Sequence, residues 1–501
     1  MADTLSIKIN NFSGGIADDI RKTSASEFQI TKHFDIFSNP NRLTPYRSLE
    51  TDTDTSVSAT DLKQYLVKDF AYASASSKLY GLGQNGSGQT KIVYKNDATT
   101  GLWIKPTSSE GTGAVQNGCF FEFKDYMWGV QGTRDIFKWG LLSGTPTITN
   151  SVSTVGADIT SVANGIIAAD GNAYFAYNNV IVRIAPGLTV TDSAKTVPDT
   201  YKITSLTNYG SYMAIAASPK SNFNGQSKVF IWNLSSDLFA ETADCGEGEL
   251  RILENVEGTL IGITDRYLNN ATGAGRGSMI IGAYSGGAWQ VLKEVFTKKL
   301  TGKSIPTSKA VKNNRLFFAA KIMTNDAGTE YHEGIWSFGR KNSGYNFALT
   351  LDIIDENVST DGIQGFGTAA NFFFIAHSGD GSVDKTNDAA TYAFTSIYES
   401  QIFDFGEACI TKAIKRLSLT VVPLPVSAVA TLKIRVNEST SWTTIGSIIT
   451  TSKIDRYFFN IEATGVEFPT FKEMQVRLES TGGAEITSFG IEATPYIGAE
   501  N

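Results

Sequence analysis

The stretch Lys312-Asn313-Asn314-Arg315-Leu316-Phe317-Phe318-Ala319 joins a polar turn to two large apolar residues and one small residue. This phrase, two large apolar residues and then Gly or Ala, recurs along the chain. Its copies are Leu79-Tyr80-Gly81, Met127-Trp128-Gly129, Tyr174-Phe175-Ala176, Tyr212-Met213-Ala214, Leu260-Ile261-Gly262, Phe317-Phe318-Ala319 and Phe374-Ile375-Ala376. Their small residues lie 38 to 57 residues apart. A recurrence of this length, built of strands and turns, is typical of a β-propeller.

The residues around each copy support this interpretation. Asp170-Gly171-Asn172 and Asn208-Tyr209-Gly210 precede two copies, and these residue types tolerate the left-handed dihedrals of tight hairpins. A small residue in the phrase predicts an inner strand where neighbouring sheets approach closely. We therefore predict an all-β protein whose residues 61–406 form a closed propeller of about seven four-stranded blades. Six or eight blades, or another β-rich fold with regular hairpins, are the alternatives.

Residues 407–501 follow a different pattern. Apolar and polar residues alternate over Ala430–Val436 and Met474–Ser480, which indicates strands with one buried and one solvated face. Pro423, Pro425 and the pair Gly482-Gly483 separate such strands. This region is predicted to be a C-terminal β-sandwich or jelly roll.

Residues 1–60 are predicted to form an extended N-terminal arm. Their apolar residues occur in short clusters separated by Gly and Pro, so the segment cannot fold alone. It packs either on its own propeller or sandwich or on a neighbouring subunit, and in the second case deletion of residues 1–50 would leave a folded monomer that cannot enter an assembly. The predicted assembly residues of this arm are Phe12, Ile16, Phe34, Ile36, Phe37, Leu43 and Tyr46.

Charge and cysteine content limit the classes of function. The 501 residues carry a formal net charge of −7, which argues against a general nucleic-acid-binding protein. Cys119, Cys245 and Cys409 are far apart and have no metal-binding or disulfide spacing. There is no secretory signal and no apolar run long enough to span a membrane, so we expect synthesis in a reducing cytoplasm.

Candidate catalytic patterns are weak. Gly81-Leu82-Gly83-Gln84-Asn85-Gly86 fits a dinucleotide-binding pattern but runs into a predicted strand rather than a helix. The three histidines are scattered, and the oxygen-rich stretch 378–388 lacks the spacing of an EF-hand. Acidic residues near strand ends, such as Asp135, Asp170 and Asp265, are expected in any propeller. We therefore predict no catalytic residues, no cofactor, no metal site and no enzymatic activity.

Two terminal regions carry a resemblance. The segment from Asn11 to Ile20, with Phe34-Asp35-Ile36-Phe37 and Leu43-Thr44-Pro45-Tyr46-Arg47, resembles the opening of virion proteins of tailed bacteriophages. The run from Ser441 to Gly446, Phe468, and the run from Arg477 to Ile486 resemble the terminal β-sandwich of such proteins.

The resemblance implies a structural virion protein made in the host cytoplasm, such as a nozzle or ring-type tail component near the portal. It further implies a symmetric homo-oligomeric ring that contacts portal, adaptor or other tail proteins and allows passive contact with phage DNA. The alternative from the residues is a recognition module that binds a host-surface glycan or a partner protein through loops on one propeller face.

Overall fold

The structure of the protein is a computed structural model. It describes residues 4–17, 26–52, 67–74, 76–95, 97, 102–106, 110–144, 146–220, 225–267, 277–297, 309–323, 331–354, 363–377, 383–386, 392, 394–437, 439–460 and 468–496. All elements of regular secondary structure assigned within these ranges are β-strands. No helix in the described part of the chain is long and apolar enough to cross a membrane.

The N-terminal segment, residues 4–52, contributes short strands to several sheets. They are β1 (Leu5–Ile9), β2 (Gly15–Ile16), β3 (Glu27–Lys32), β4 (Phe34–Asp35), β5 (Thr44–Pro45) and β6 (Leu49–Thr51). Strands β4 and β5 pair only with each other. Strand β2 pairs in parallel with β3. Strands β1, β3 and β6 pair with strands that lie hundreds of residues further along the chain, as described below.

The next strands build one large sheet. They are β7 (Asp69–Ala73), β8 (Lys78–Gln84), β9 (Gln89–Lys95), β10 (Trp103–Ile104), β11 (Glu110–Phe123), β12 (Tyr126–Gln131), β13 (Asp135–Gly140) and β14 (Thr147–Thr154). The long strand β11 pairs with β9 through its first half and with β12 mainly through its second half, with a register shift between Val115 and Phe120. It therefore joins two groups of strands into an eight-stranded sheet.

Four antiparallel four-stranded sheets follow, each built from consecutive strands. Their strands are β15 (Val162–Ile167), β16 (Ala173–Tyr177), β17 (Val180–Ile184), β18 (Val190–Thr196); β19 (Tyr201–Tyr209), β20 (Tyr212–Pro219), β21 (Gln226–Trp232), β22 (Glu241–Glu247); β23 (Glu249–Val256), β24 (Thr259–Tyr267), β25 (Gly277–Ser285), β26 (Ala288–Thr297); β27 (Lys309–Lys312), β28 (Arg315–Met323), β29 (Tyr331–Gly339) and β30 (Ala348–Ile354).

The last sheet of this series takes a strand from the N-terminal segment. It consists of β31 (Ile363–Ala369), β32 (Phe372–His377), β33 (Val383–Thr386) and β6, with Thr51 opposite Asp384 and Leu49 opposite Thr386. The first strands of successive groups, including both groups of the eight-stranded sheet, contact each other in the order β7, β11, β15, β19, β23, β27 and β31, and β31 contacts β7. The sheets therefore form a closed ring, which confirms the predicted all-β propeller.

The repeated phrases occupy equivalent strands, but not the innermost ones. Each copy lies on the second strand of its group, namely β8, β12, β16, β20, β24, β28 or β32. A Cβ added to Gly129 would lie 2.5 Å from the Phe137 ring, and one added to Gly262 would lie 2.5 Å from the Trp289 ring. At these two positions the small residue makes room for an aromatic side chain of its own sheet, rather than for a neighbouring sheet.

Bulges in the first strands connect neighbouring sheets. The register shifts at Thr204, Arg251 and Gln364, so the backbone of these residues is not paired in register with the second strand. The Thr204 hydroxyl donates to the carbonyl of Leu250, and Gln364 Nε2 donates to the carbonyl of Val67 at 2.7 Å. Both acceptors lie at the start of the next sheet. The bulge therefore gives up backbone hydrogen bonds within its own sheet, and its side chain forms a hydrogen bond to the neighbouring sheet.

The C-terminal sheets complete the fold. Their strands are β34 (Ser396–Ser400), β35 (Lys412–Val421), β36 (Val429–Val436), β37 (Thr443–Ile448), β38 (Asp455–Phe459), β39 (Thr470–Phe471), β40 (Met474–Thr481) and β41 (Ile486–Pro495). One sheet has the order β1-β41-β35-β38, with β39 also paired to β35, and the other has the order β2-β3-β34-β40-β36-β37. Both therefore contain strands of the N-terminal segment.

These pairings change the predicted domain limits. Strand β34 already belongs to a C-terminal sheet, so that region begins before residue 407. Residues 1–60 are not a separate arm, because their strands are integral to the propeller and to both C-terminal sheets. The predicted limit between residues 60 and 61 lies outside the described residues. One hydrophobic core contains side chains from the N-terminal segment, β23–β30 and the C-terminal sheets.

Candidate functional site at the junction of the N-terminal segment

The predicted assembly residues lie between the propeller and the C-terminal sheets of the same chain. Six of them are buried and Tyr46 is half-buried; the six are Phe12, Ile16, Phe34, Ile36, Phe37 and Leu43. The Phe12 ring packs edge-on against Tyr398 at a centroid distance of 5.3 Å, and Leu43 exchanges two backbone hydrogen bonds with Ile486. Their role in assembly between subunits stays a prediction, since their observed contacts are within one chain.

A buried group of polar side chains, here called the junction cluster, fixes the segment to the propeller. It comprises Asp35, Tyr46, Arg315 and Asp352. Arg315 Nη1 lies 3.2 Å from both Asp35 Oδ1 and the Tyr46 hydroxyl. The Arg315 guanidinium also lies between the rings of Phe37 and Phe317, 4.7 Å from each centroid. This geometry combines charge-assisted hydrogen bonds with cation–π contacts in a water-poor site.

The junction cluster contains more carboxyl groups than cations. Asp352 is fully buried, and burial raises its pKa to about 8 although the nearby Arg315 acts in the opposite direction. Burial likewise raises the pKa of Tyr46 well above its ordinary value. Arg315 is therefore paired with Asp35, and Asp352 is mostly protonated at neutral pH.

A second buried group, the closure cluster, lies where the ring closes. It comprises Asp52, Lys95 and Trp103. Lys95 Nζ donates to both Asp52 oxygens at 2.9 and 2.7 Å, and Trp103 Nε1 donates to Asp52 Oδ2 at 2.8 Å. Lys95 and Asp52 are almost completely buried. Because Asp52 directly follows β6, this ion pair connects the N-terminal segment to the first group of propeller strands.

The acidic residues that the sequence analysis considered do not come together in one site. Asp265 pairs with Arg251 Nε at 2.7 Å, Asp170 accepts a hydrogen bond from the Tyr174 hydroxyl at 2.7 Å, and Asp135 accepts one from Ser151 at 3.0 Å. They lie on three different sheets and bind partners of their own sheet. Sequence analysis missed Asp69, whose pKa burial raises to about 7, because no motif marks it.

The histidines and cysteines are also dispersed. His377 Nε2 lies 3.1 Å from Asp384 Oδ2 in a buried pair, and the His33 ring stacks on Phe394. The side chain of His332 is not among those that the structure describes. Cys119 and Cys245 are buried, which raises the pKa of both thiols, and Cys409 is exposed. No cluster of three metal-ligating side chains occurs among the described residues.

The Gly-rich stretch Gly81–Gly86 lies in the hairpin between β8 and β9, as predicted. Asn85 Oδ1 accepts hydrogen bonds from the backbone amides of Ser87 and Gln89, which is the pattern of a tight turn. Most of the oxygen-rich stretch 378–388 lies outside the described residues.

An open cleft of about 580 Å³, lined mainly by residues with polar or charged side chains, lies between the N-terminal segment and the C-terminal sheets. Its lining is formed by Lys8, Asn10, Asn39, Asn41, Arg42, Thr420, Ile454, Arg456, Thr487 and Ser488. We call it the cationic cleft. Sequence analysis missed it because its residues come from distant parts of the chain. The only available signal was the alternation of Lys8 and Asn10 with Ile7 and Ile9.

No family model matches the chain, and no curated protein matches it. Several solved structures align with most of its length. An exo-β-1,3-galactanase from Phanerochaete chrysosporium bound to galactose is 11% identical, with 89% of this chain and 100% of that chain covered and a TM-score of 0.33. The WD40 domain of Neurospora crassa Pan2 is 10% identical, with 68% and 94% covered and a TM-score of 0.40. A glycoside hydrolase is 10% identical, with 86% and 98% covered and a TM-score of 0.28.

These comparisons correct the prediction that the protein is not an enzyme. That exclusion is wrong, because structures with which the chain is aligned over most of its length include glycoside hydrolases. Because the identities and TM-scores are low, no substrate and no catalytic residue is transferred to this chain. The propeller fold rests on the closed ring of sheets described above.

Proposed function

We propose that the protein is a structural component of a tailed-phage virion, a ring-type part of the tail. In this proposal a seven-bladed propeller forms a rigid body and a C-terminal β-sandwich docks neighbouring virion proteins. The observation that carries the proposal is the insertion of one N-terminal segment into the propeller and into both C-terminal sheets. Such a connection suits a structural protein whose propeller and C-terminal sheets must keep one arrangement under mechanical force.

The count of seven blades rests on dividing the eight-stranded sheet at β11. The strands before its register shift then belong to one blade and those after it to the next. Five further four-stranded sheets complete the ring. The last of them is closed by β6, so β11 is the one strand of the described ring that two blades share.

The β-sandwich interpretation rests on the shared core of the two C-terminal sheets. Leu417 and Leu419 of one sheet and Val476 and Leu478 of the other are fully buried and belong to the same hydrophobic cluster. Polar residues alternate with them along each strand. This pattern fits two antiparallel sheets packed face to face.

The continuous core supports a rigid relationship between propeller and C-terminal sheets. Phe338 and Leu349 of the propeller, Phe34 of the N-terminal segment and Phe489 of the C-terminal sheets belong to one cluster. A flexible linker would instead leave each region with its own core. Docking of portal, adaptor or tail proteins, and assembly of the chain as a symmetric ring, are parts of this proposal.

The alternative, glycan recognition by propeller-face loops, has no specific support. Stacking on sugars requires exposed aromatic rings. Of the seven tryptophans, all within the described residues, Trp103, Trp128, Trp139, Trp232 and Trp336 are buried and the other two are half-buried. Tyr72 and Tyr212 are exposed, but they lie on strands β7 and β20 of two different sheets. We therefore do not propose this function for the propeller faces.

The proposal is tested by quantitative mass spectrometry and cryo-electron microscopy of phage particles that encode the protein. We expect a fixed integer copy number per particle and a ring of propellers in the tail density. A protein that is abundant in infected cells but absent from purified particles would overturn the proposal. Native mass spectrometry of the purified chain provides an independent check, because a ring component should form one discrete oligomer on its own or with a tail partner.

A further inference from the structure

The floor of the cationic cleft is the outer face of one C-terminal sheet. Lys8 lies opposite Gly490, Gly490 opposite Ser418, and Ser418 opposite Phe458, which forms one rung across four strands. The next rung contains Ser488, Thr420 and Arg456. Because side chains two residues apart on a strand share a face, these residues all project into the same surface.

The charge of the cleft is opposite to that of the whole chain. The protein has 50 acidic and 43 basic residues, yet the described residues that line the cleft include three cations and no carboxylate. Of the three, Arg42 is paired with Glu485 at 2.6 Å. Within the described part of the chain, Lys8 and Arg456 form no ion pair. Two cations are therefore available to an acidic ligand.

The position of Arg456 is fixed by its neighbours. Its Nη2 donates to the Ser418 hydroxyl at 3.1 Å, and its guanidinium lies 5.0 Å from the Phe458 ring centroid. A Cβ at position 490 would come within 2.8 Å of the Ser418 hydroxyl and 3.4 Å of Arg456 Nη2. Gly490 thus leaves room for the guanidinium to lie close to the sheet, which reduces the entropy lost when it binds a ligand.

The side chains around the cations indicate a hydroxylated ligand. Lys8 and Arg456 lie on the two edge strands of a four-strand path, and the Arg456 guanidinium reaches back over the middle strands to Ser418 and Gly490. The side chains between and beside the two cations are amides and hydroxyls, such as Asn10, Thr420 and Ser488, which hydrogen-bond to hydroxyl groups.

We infer that the cationic cleft binds an acidic oligosaccharide, whose carboxylates pair with Arg456 and Lys8 and whose hydroxyls bind the amides and hydroxyls between them. The cleft volume of about 580 Å³ is within the range of ligand sites. Guanidinium groups bind carboxylates through two parallel hydrogen bonds, which gives the site a preference for acidic sugars. This inference does not depend on the position of the protein in a particle.

Other polyanions fit the cleft less well. A nucleic acid requires many cations along its phosphates, and only three line the cleft. The exposed ring of Phe458 is flanked by Arg416 and Arg456, at 4.6 and 5.0 Å, so it offers little free face for a base. An acidic peptide would need apolar pockets for its side chains, and Ile454 is the only apolar residue in the described lining.

The test is fluorescence anisotropy with the full-length protein and labelled oligogalacturonate, oligosialate and hyaluronan fragments. We expect at least one of them to bind, with an affinity that falls at high salt. Methyl esterification of its carboxylates should abolish binding. Arg456→Gln and Lys8→Gln should each weaken binding about tenfold, the loss of one charge-assisted contact. Lys472→Gln, an exposed lysine of the same domain outside the cleft, should leave binding unchanged.

Three results would overturn the inference. The first is a failure of all three acidic glycans to bind. The second is equal binding of single-stranded DNA or poly-glutamate of matched charge, which would indicate an unspecific cationic surface. The third is an equal loss of affinity in Lys472→Gln. Lys8 and Arg456 are exposed, so thermal unfolding of their variants should match the unmodified protein and thereby exclude misfolding as the cause.

Discussion

The junction cluster and the closure cluster attach the same N-terminal segment to the propeller, but they differ in charge balance. In the closure cluster one cation faces one carboxylate, and the indole of Trp103 supplies a further hydrogen bond to Asp52. In the junction cluster one cation faces two carboxyl groups, and burial keeps the proton on Asp352. The charges of the closure cluster therefore balance within one ion pair. The charges of the junction cluster balance only while Asp352 is protonated.

The difference lies in the donors that surround each buried carboxyl group. Asp52 and Asp352 have 7% and 0% of their surface exposed. Asp52 has two strong donors, whereas the guanidinium near Asp352 is already bonded to Asp35 and Tyr46. The pH response of the junction cluster follows from the pKa of Asp352, which burial raises to about 8.

The most severe way to break both attachments is to remove the segment. Deletion of residues 1–50 removes β1–β5 and most of β6, along with the fully buried Phe12, Phe28 and Phe34. Each such side chain contributes about 3–5 kcal/mol, against a total stability of about 5–15 kcal/mol for a typical protein. We expect no cooperative unfolding transition in calorimetry, rather than the folded monomer expected from the sequence. A variant that melts cooperatively near the temperature of the full chain would contradict this.

Breaking only the closure cluster should have the next largest effect. Lys95→Met leaves Asp52 buried without its cation, and we expect a loss of about 3–5 kcal/mol in the free energy of unfolding. Chemical denaturation measures this loss. The double variant Asp52→Asn/Lys95→Met serves as the control, because it removes both charges and should be more stable than Lys95→Met alone. Equal stability of the two variants would show that packing, not charge, explains the loss.

The junction cluster should instead make the free energy of unfolding depend on pH. The folded pKa of Asp352, about 8, lies above the ordinary value of a carboxyl group near 4. The native state therefore holds a proton that the unfolded chain has lost, and this contribution to stability decreases as pH rises from about 4 to about 8. Asp69 acts in the same direction up to about pH 7.

Asp352→Asn should remove this contribution at the junction cluster. Relative to the unmodified protein, the variant should gain on the order of 4 kcal/mol in unfolding free energy between pH 5 and pH 8.5. Denaturant titrations at several pH values measure the difference, and Asp69→Asn separates the two carboxyl groups because its effect should end near pH 7. A stability difference that does not vary with pH would show that Asp352 is ionised throughout.

The smallest effect is expected at an exposed ion pair, which calibrates the two buried clusters. Arg134 Nε lies 2.6 Å from Asp158 Oδ1, but both side chains are largely exposed. Asp158→Asn should change the unfolding free energy by less than about 0.5 kcal/mol, since solvent and salt screen such pairs. A loss comparable to that of Lys95→Met would invalidate the burial argument for the closure cluster.

The sequence predicted the local features of the fold and missed the long-range ones. The phrases ending in Gly129, Ala176 and Ala319 fall on equivalent strands because turns and strand periodicity are local properties. Their placement on second rather than first strands depends on the side chains opposite, such as Phe137 across from Gly129. The pairing of Leu5 with Ala493 and the cationic cleft depend on register between distant segments, which no local pattern determines.

The pairing of β1 with β41 has a consequence for the timing of folding. Leu5 and its partner Ala493 are separated by almost the whole described chain. At roughly 5–20 residues per second, β1 leaves the ribosome on the order of half a minute to a minute and a half before its partner is made. During that interval β6 also waits for β33, so the ring stays open. A prematurely terminated chain lacking β41 leaves β1 unpaired, and its exposed edge makes that chain a substrate for chaperones and proteases rather than a building block.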